Sequence, residues 1–273
     1  MEEGHKRTQN STKPILLKET MTGKNPIITV ENMTARYGDR LVLDSLSFAV
    51  DRGEIFVILG GSGCGKSTLL KHMIGLYPPA GGDIRIADVS IVEAAGAERD
   101  ALIRHFGVMY QSGALFGSMT LLENVCLPLE EFTKLGRDAR ELIARMKLGL
   151  VGLADAADLM PSEISGGMKK RAAIARAMAL DPEILFLDEP SAGLDPVTSA
   201  ELDELILMLS RSLKITFVVV SHELPSIYRI ADRVIMLDAR TKRIIAEGNP
   251  HELRDTAEDV WIRNFFSRKG GRR

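Results

Sequence analysis

From Ile27 onward, apolar residues gather in short runs at Ile28 to Val30, Leu41 to Val50, Ile55 to Leu59 and Asp83 to Ser90. Turn signals such as Tyr37-Gly38-Asp39 and Ala80-Gly81-Gly82 bound them, so they predict a strand-rich first lobe. Between Leu121 and Leu180 the period lengthens: Leu142, Ile143, Met146 and Leu150 fall at helical spacing, and an Ala-rich stretch runs from Arg171 to Leu180. The middle third therefore reads as a helical insert, over about 112–180. Strand-like Ile184 to Leu187, a helix from about Val197 to Leu213 and strand-like Ile215 to Val220 then alternate as a parallel α/β sheet requires. The first and last thirds are expected to share that sheet. No internal repeat of about 20 to 50 residues is present, which argues against two tandem copies of one unit.

Residues 1–26 are polar and hold neither period, so they read as a flexible extension. The remainder is long enough for one large α/β domain with a substantial core. A formal net charge of −2 gives no field that favours a nucleic acid, and none is expected as a partner. No apolar run approaches the roughly 18 to 20 residues that cross a bilayer. The N-terminus opens with Glu2, Glu3, His5, Lys6 and Arg7 and offers only Pro14 to Leu17 as an apolar patch, which is no signal-peptide core. A cytoplasmic protein is expected. Cys64 lies in a glycine-rich loop and Cys126 in an apolar stretch, and neither belongs to a metal or disulfide pattern.

Chemistry concentrates at three places. Gly60-Gly61-Ser62-Gly63-Cys64-Gly65-Lys66-Ser67-Thr68 fits G-x-x-x-x-G-K-[ST], between the strand-like Glu54 to Leu59 and the helical Leu69 to Ile74. Such a P-loop wraps the backbone so that successive N–H groups, and the positive end of the following helix, point at phosphate oxygens. Lys66 would neutralise the β and γ phosphates of ATP, and the Ser67 hydroxyl would ligate Mg²⁺. Next, Ile184-Leu185-Phe186-Leu187-Asp188-Glu189-Pro190 is an apolar strand that delivers two carboxylates at its end. This is a Walker B pattern, in which Asp188 would hold Mg²⁺ through water and Glu189 would polarise the attacking water. Third, Ser165 is suited to cap a helix opening at Gly166-Gly167-Met168-Lys169.

With Ile164-Ser165-Gly166-Gly167 some hundred residues after the P-loop, the chain resembles the ATP-binding-cassette (ABC) family over roughly Ile27 to Pro250. Further matches fall in family order: Tyr37 as the adenine-stacking aromatic, Gln111 as the Q-loop glutamine that senses Mg²⁺ and water, Ser191-Ala192-Gly193-Leu194-Asp195 as the D-loop, and His222 as the switch histidine near the γ-phosphate. The resemblance implies a P-loop ATPase fold with a strand-rich nucleotide lobe and a helical subdomain. It also implies that two copies meet head to tail, each presenting Ser165, Gly166 and Gly167 to ATP held by the other's P-loop. A helix N-terminus closing over the γ-phosphate would exclude water and add fixed donors.

Three stretches, Tyr110-Gln111-Ser112-Gly113-Ala114-Leu115-Phe116, Leu159 to Met168, and Asp259 to Phe266, look like the Mla-type ATPases that partner MCE-domain lipid transporters; in that group Met commonly stands where Met168 does. This likeness implies integral-membrane permease subunits, an MCE-domain protein and a small regulatory subunit as partners. It places the chain on the cytoplasmic face of the inner membrane, powering phospholipid movement between two membranes. Another ABC transporter, or a soluble assembly-scaffold ATPase, is the alternative. Residues 251–273 read as a helical tail in which Val260, Trp261, Phe265 and Phe266 cluster ahead of Arg268, Lys269, Arg272 and Arg273. Packing on the chain's own surface and, by resemblance, clasping a neighbouring copy both stay open, with membrane-surface binding ranked last.

Overall fold

A computed structural model describes residues 25–267; the N-terminal stretch before them and the basic residues from Arg268 onward lie outside the described residues. The chain runs β1 (Pro26–Tyr37), β2 (Arg40–Asp51), β3 (Ile55–Gly60), α1 (Lys66–Met73), β4 (Gly81–Ile86), β5 (Val89–Ser90), α2 (Gly96–Ile103) and β6 (Phe106–Met109). Then follow α3 (Leu121–Phe132), α4 (Arg137–Leu150), α5 (Gly166–Ala177), β7 (Ile184–Asp188), α6 (Pro196–Leu213), β8 (Thr216–Val220), α7 (Leu224–Ile230), β9 (Arg233–Leu237), β10 (Ile244–Gly248), α8 (Pro250–Thr256) and α9 (Val260–Phe266).

Among the described residues the strands form two sheets, one antiparallel in the order β2-β1-β4-β5 and one in the order β10-β9-β3-β8-β7-β6. In the larger sheet β9, β3, β8, β7 and β6 run parallel and only β10 is reversed. Both faces of its central strand are covered. Ile55, Val57 and Leu59 of β3 face the core built with the helical insert and α6, while Phe56 and Ile58 face the core under the antiparallel sheet. Burial on both sides explains the unbroken apolar runs of β3, β7 and β8.

Several elements depart from the sequence pattern for local reasons. The first strand continues past Val30 to Tyr37, because Asn32 adopts a left-handed φ of 49° and takes up a register shift that lets pairing resume at Met33. Asp83 to Ser90 is two strands, since Ala87 and Asp88 both take positive φ and turn the chain back. Of the four apolar residues that marked α4, Ile143 packs half-buried against the core while Leu142 and Met146, each 63% exposed, and Leu150 face out; Ala144 and Leu148, one turn apart, are fully buried. Helical spacing identified the helix but not its inner face. The tail is two short helices that pack on their own chain. Ile262 and Phe266 are buried, the Tyr228 hydroxyl donates to the Phe266 carbonyl at 2.6 Å, and Val260 remains exposed.

Candidate functional site

All parallel strands of the larger sheet end on one edge, and the chemistry-bearing segments follow four of them: the P-loop after β3, Gln111 after β6, Asp188 and Glu189 at the end of β7, and His222 after β8. This is where α/β sheets bind ligands. Gly60 opens the P-loop with φ 148°, and a Cβ there would lie 2.5 Å from the Leu237 carbonyl oxygen and 2.6 Å from Cys64 Sγ, so only glycine fits. Lys66 Nζ donates to the carbonyls of Gly60 (3.0 Å) and Gly61 (3.3 Å), which holds the ammonium over the loop. Tyr37, Arg40, Val42, Gly63, Gly65, Lys66, Ser67 and Thr68 line one cleft of about 270 Å³. Tyr37 and the P-loop therefore share a cavity, and Tyr77 meets the Tyr37 ring edge-on at 6.3 Å.

Ser67 Oγ lies 3.4 Å from Asp188 Oδ1. Burial, reinforced by the neighbouring Glu189 charge, raises the Asp188 carboxyl above its ordinary range, against the pull of Ser67, Lys71 and Lys66. Hydroxyl and carboxylate oxygens suit a hard divalent cation, which would relieve that buried charge. No cluster of three or more His, Cys, Asp or Glu suited to a metal occurs among the described residues, so such an ion would complete its shell with phosphate and water. The donor set fits Mg²⁺.

Glu189 is 8% exposed and sits at φ 49°, a left-handed conformation that costs a non-glycine residue roughly 1–2 kcal/mol. Its N–H donates to the Val220 carbonyl at 2.9 Å, which ties it to the end of β8. His222 Nδ1 lies 2.8 Å from the carboxylate with hydrogen-bond geometry to Oε1, while the buried Oε2 receives no hydrogen bond. The structure thus joins His222 to Glu189. Nδ1 stands equally close to both carboxylate oxygens, so the imidazole holds the buried group in place.

The glycine-serine segment goes elsewhere. Ser165 Oγ accepts from Met168 N–H at 3.2 Å and caps α5, and none of Ser165, Gly166 and Gly167 lines the P-loop cleft. A Cβ on Gly167 would meet Thr198 Cγ2 at 2.4 Å, so this end of α5 is pressed against the start of α6. Asp195 is a helix cap as well: its carboxylate accepts from the N–H groups of Val197 (3.0 Å) and Thr198 (3.1 Å) and from the Thr198 hydroxyl, bonds that hold its carboxyl below the usual range. Cys64 is fully buried, and burial pushes its thiol up against the pull of Lys66. Its place in the loop is a packing one.

Two residues absent from the sequence reading stand on the inner side of α5. Lys170, 7% exposed, donates through Nζ to the carbonyls of Gln111 and Glu189, and Arg176 donates to those of Gly113 (3.0 Å) and Ala114 (2.7 Å). A signal was available in the spacing: Lys170 shares a helical face with Gly167 and Ile174, both buried.

A cleft that joins an aromatic to a P-loop, beside a carboxylate pair at a sheet edge, defines a P-loop nucleoside-triphosphatase. The family described as "ABC transporter" matches residues 43–192. The intermembrane phospholipid transport system ATP-binding protein MlaF of Haemophilus influenzae is 40% identical over 88% of this chain and 90% of its own. The probable ribonucleotide transport ATP-binding protein mkl of Mycobacterium tuberculosis is 39% identical over 88% of this chain and 66% of its own. Among solved structures, the dimeric post-hydrolysis state of the ATP-binding cassette MJ0796 bound to ADP and Pi superposes with a TM-score of 0.73 at 29% identity, over 81% of this chain and 98% of that one. The chain belongs to the ABC transporter family as an ATP-binding, ATP-hydrolysing subunit.

Proposed function

We propose that this chain hydrolyses ATP at sites shared between two copies and thereby energises phospholipid transport between the inner and outer membranes through a permease. The observation that carries the shared site is the position of Ser165: it opens α5 without lining its own chain's P-loop cleft, so in this reading the N-terminus of α5 serves a neighbour's nucleotide. The dimeric form in which the MJ0796 cassette was solved supports this arrangement. Tyr37 would stack on adenine, residues 60–68 would cradle the phosphates, and Ser67, Asp188 and Gln111 would hold Mg²⁺. Mg²⁺, when bound, supplies charge neutralisation between the β and γ phosphates. Glu189 accepts the proton of the attacking water, and His222, in contact with that carboxylate, orients it and would contact the γ-phosphate. Glu189→Gln keeps the shape and removes the base, so it should form a stable ATP-dependent dimer with little turnover. Wild-type hydrolysis by that variant refutes Glu189 as the base.

The cargo reading rests on the MlaF likeness, which runs along nine-tenths of that protein, whereas mkl, nearly as similar, is half as long again as the matched region. In this reading the chain sits on the cytoplasmic face of the inner membrane against permease subunits, with an MCE-domain protein and a small regulatory subunit in the same assembly. No helix among the described residues is long and apolar enough to cross a membrane. Purification from solubilised membranes tests it: a permease and an MCE protein in the eluate agree, and a solute-binding protein replaces the lipid with another cargo. Recovery wholly in the soluble fraction favours an assembly-scaffold ATPase.

A further inference from the structure

We propose that Lys170 is a positioning residue for hydrolysis, joining the helix that Ser165 opens to the two segments that carry Gln111 and Glu189. The inference rests on the roles given above to Glu189 and Gln111. Strands β6 and β7 pair in parallel up to Met109 and Leu187, and two residues further along stand Gln111 and Glu189. There the ladder has ended. The Lys170 ammonium donates to both carbonyls and so bridges the strands at the point where they part.

Three features make this more than packing. First, a buried ammonium is expensive unless its surroundings compensate, and among the described residues no carboxylate pairs with Lys170; burial lowers its pKa while the nearby Asp188 and Glu189 charges oppose that. A glutamine or methionine would fill the place at less expense. Second, one of the carbonyls belongs to Glu189, whose backbone is held at φ 49°; fixing the peptide after it fixes where the carboxylate points, and His222 meets that carboxylate at 2.8 Å. Third, Lys170 lies five residues from Ser165 on one helix, about 7.5 Å along its axis at 1.5 Å per residue. A displacement of α5 by whatever docks at Ser165 is thereby passed to the Gln111 loop and to Glu189 of the same chain. Arg176 clamps the loop further along, at Gly113 and Ala114, without touching Glu189. Lys170 alone of the two links loop and base. With Ser165 serving a partner's nucleotide, it makes hydrolysis in one pocket responsive to occupancy of the other.

The test is steady-state ATP hydrolysis by the full chain carrying Lys170→Met, with thermal melting and ATP-dependent dimerisation measured on the same preparations. Lys147→Met serves as the control, because Lys147 is buried to a similar degree but pairs with Asp181 away from the site. Lys170→Met should leave KM for ATP within about twofold and lower kcat by roughly ten- to a hundredfold, the scale set by a misplaced catalytic group. Lys170→Arg, which keeps donors for both carbonyls, should recover most of the rate, and Lys147→Met should keep kcat. Wild-type kcat in folded Lys170→Met, or a raised KM with kcat unchanged, overturns the proposal. If Lys170→Met does not fold, Lys170→Gln is read by the same split. Glu189→Gln run alongside separates the two failures: if it hydrolyses at the wild-type rate the base assignment falls, and if it is inactive while Lys170→Met is normal, the positioning role alone falls.

Discussion

Gly167 is the second residue of α5, and a Cβ there would stand 2.4 Å from Thr198 Cγ2. Carbon atoms rest at about 3.5–4.0 Å, so Gly167→Ala requires the start of α5 and the start of α6 to separate by roughly 1 Å or more. Thr198 cannot turn its methyl aside freely, because its hydroxyl donates to Asp195, the cap of α6. Overpacking of this kind costs about 1–3 kcal/mol, and the better helix propensity of alanine offsets up to about 1 kcal/mol of it. The net loss, about 1–2 kcal/mol, lowers Tm by roughly 2–8 °C in a domain of this size. Activity should suffer more, since misplacing a group by about 1 Å costs on the order of a hundredfold while the N–H of residue 167 is retained. Thr198→Ser deletes Cγ2 and keeps the hydroxyl, so the double variant should regain both stability and turnover. Thermal melts and ATPase rates on the four proteins of this cycle give the coupling. Wild-type rates in Gly167→Ala, or no recovery in the double variant, would refute the close packing of α5 on α6 as the reason for glycine.

Asp188→Asn should abolish turnover yet stabilise the ligand-free protein near neutral pH, because burial holds the Asp188 carboxyl above its unfolded value and its ionised form burdens the folded state. That advantage should shrink as pH falls through the raised pKa, where the wild type is protonated too; melts of both proteins across the acid range check it. Arg233→Ala should destabilise by about 3 kcal/mol in denaturant unfolding, since it leaves the largely buried Glu54 with only the Asp51 N–H in place of Nε at 2.7 Å and Nη2 at 2.9 Å, and removes the Nη2 bond to the Ala49 carbonyl. Phe266→Ala should strip amide protection from α9 in hydrogen exchange while leaving the β3, β7 and β8 amides protected, because the tail packs on α7 from outside the sheet.

The parts of this molecule legible in the sequence are those where one local requirement dictates residue type. A P-loop needs glycine where Cβ would strike backbone, a strand buried on both faces needs an apolar run, and a carboxylate pair at its end is conspicuous against that run. Elements whose form depends on distant partners were harder to read. The inner face of α4 is set by Ala144 and Leu148, small and ordinary residues, and not by the larger apolar side chains at Leu142 and Met146. The long first strand was hidden by Glu31-Asn32, where a bulge absorbs two polar residues without ending the pairing. His222 and Glu189 are 33 residues apart, and only the parallel β7–β8 register brings them together. Ser165 was legible both as a helix cap and by family, and the structure bears out the cap, whereas Asp195 carried family meaning alone and the structure gives it a capping bond as well. One oxygen can cap a helix and still mark its N-terminus as an anion site.

Parallel strands explain why so many assigned residues converge and why α5 matters to all of them. The sheet fixes the P-loop, Asp188, Glu189 and His222 on one edge through backbone ladders that a ligand cannot shift cheaply. Gln111 lies past the end of the ladder at the outermost parallel strand, so its placement depends on what α5 offers it. That helix is tied to the loop at Lys170 and Arg176 and pressed on α6 at Gly167, and its N-terminal residues do not line the cleft. A helix is stiff over about 16 Å, the span from Ser165 to Arg176, and moves as one body. The sheet thus sets the reacting groups, and α5 sets the Gln111 loop beside them, so a substitution on the inner side of α5 should alter the loop and leave the P-loop in place.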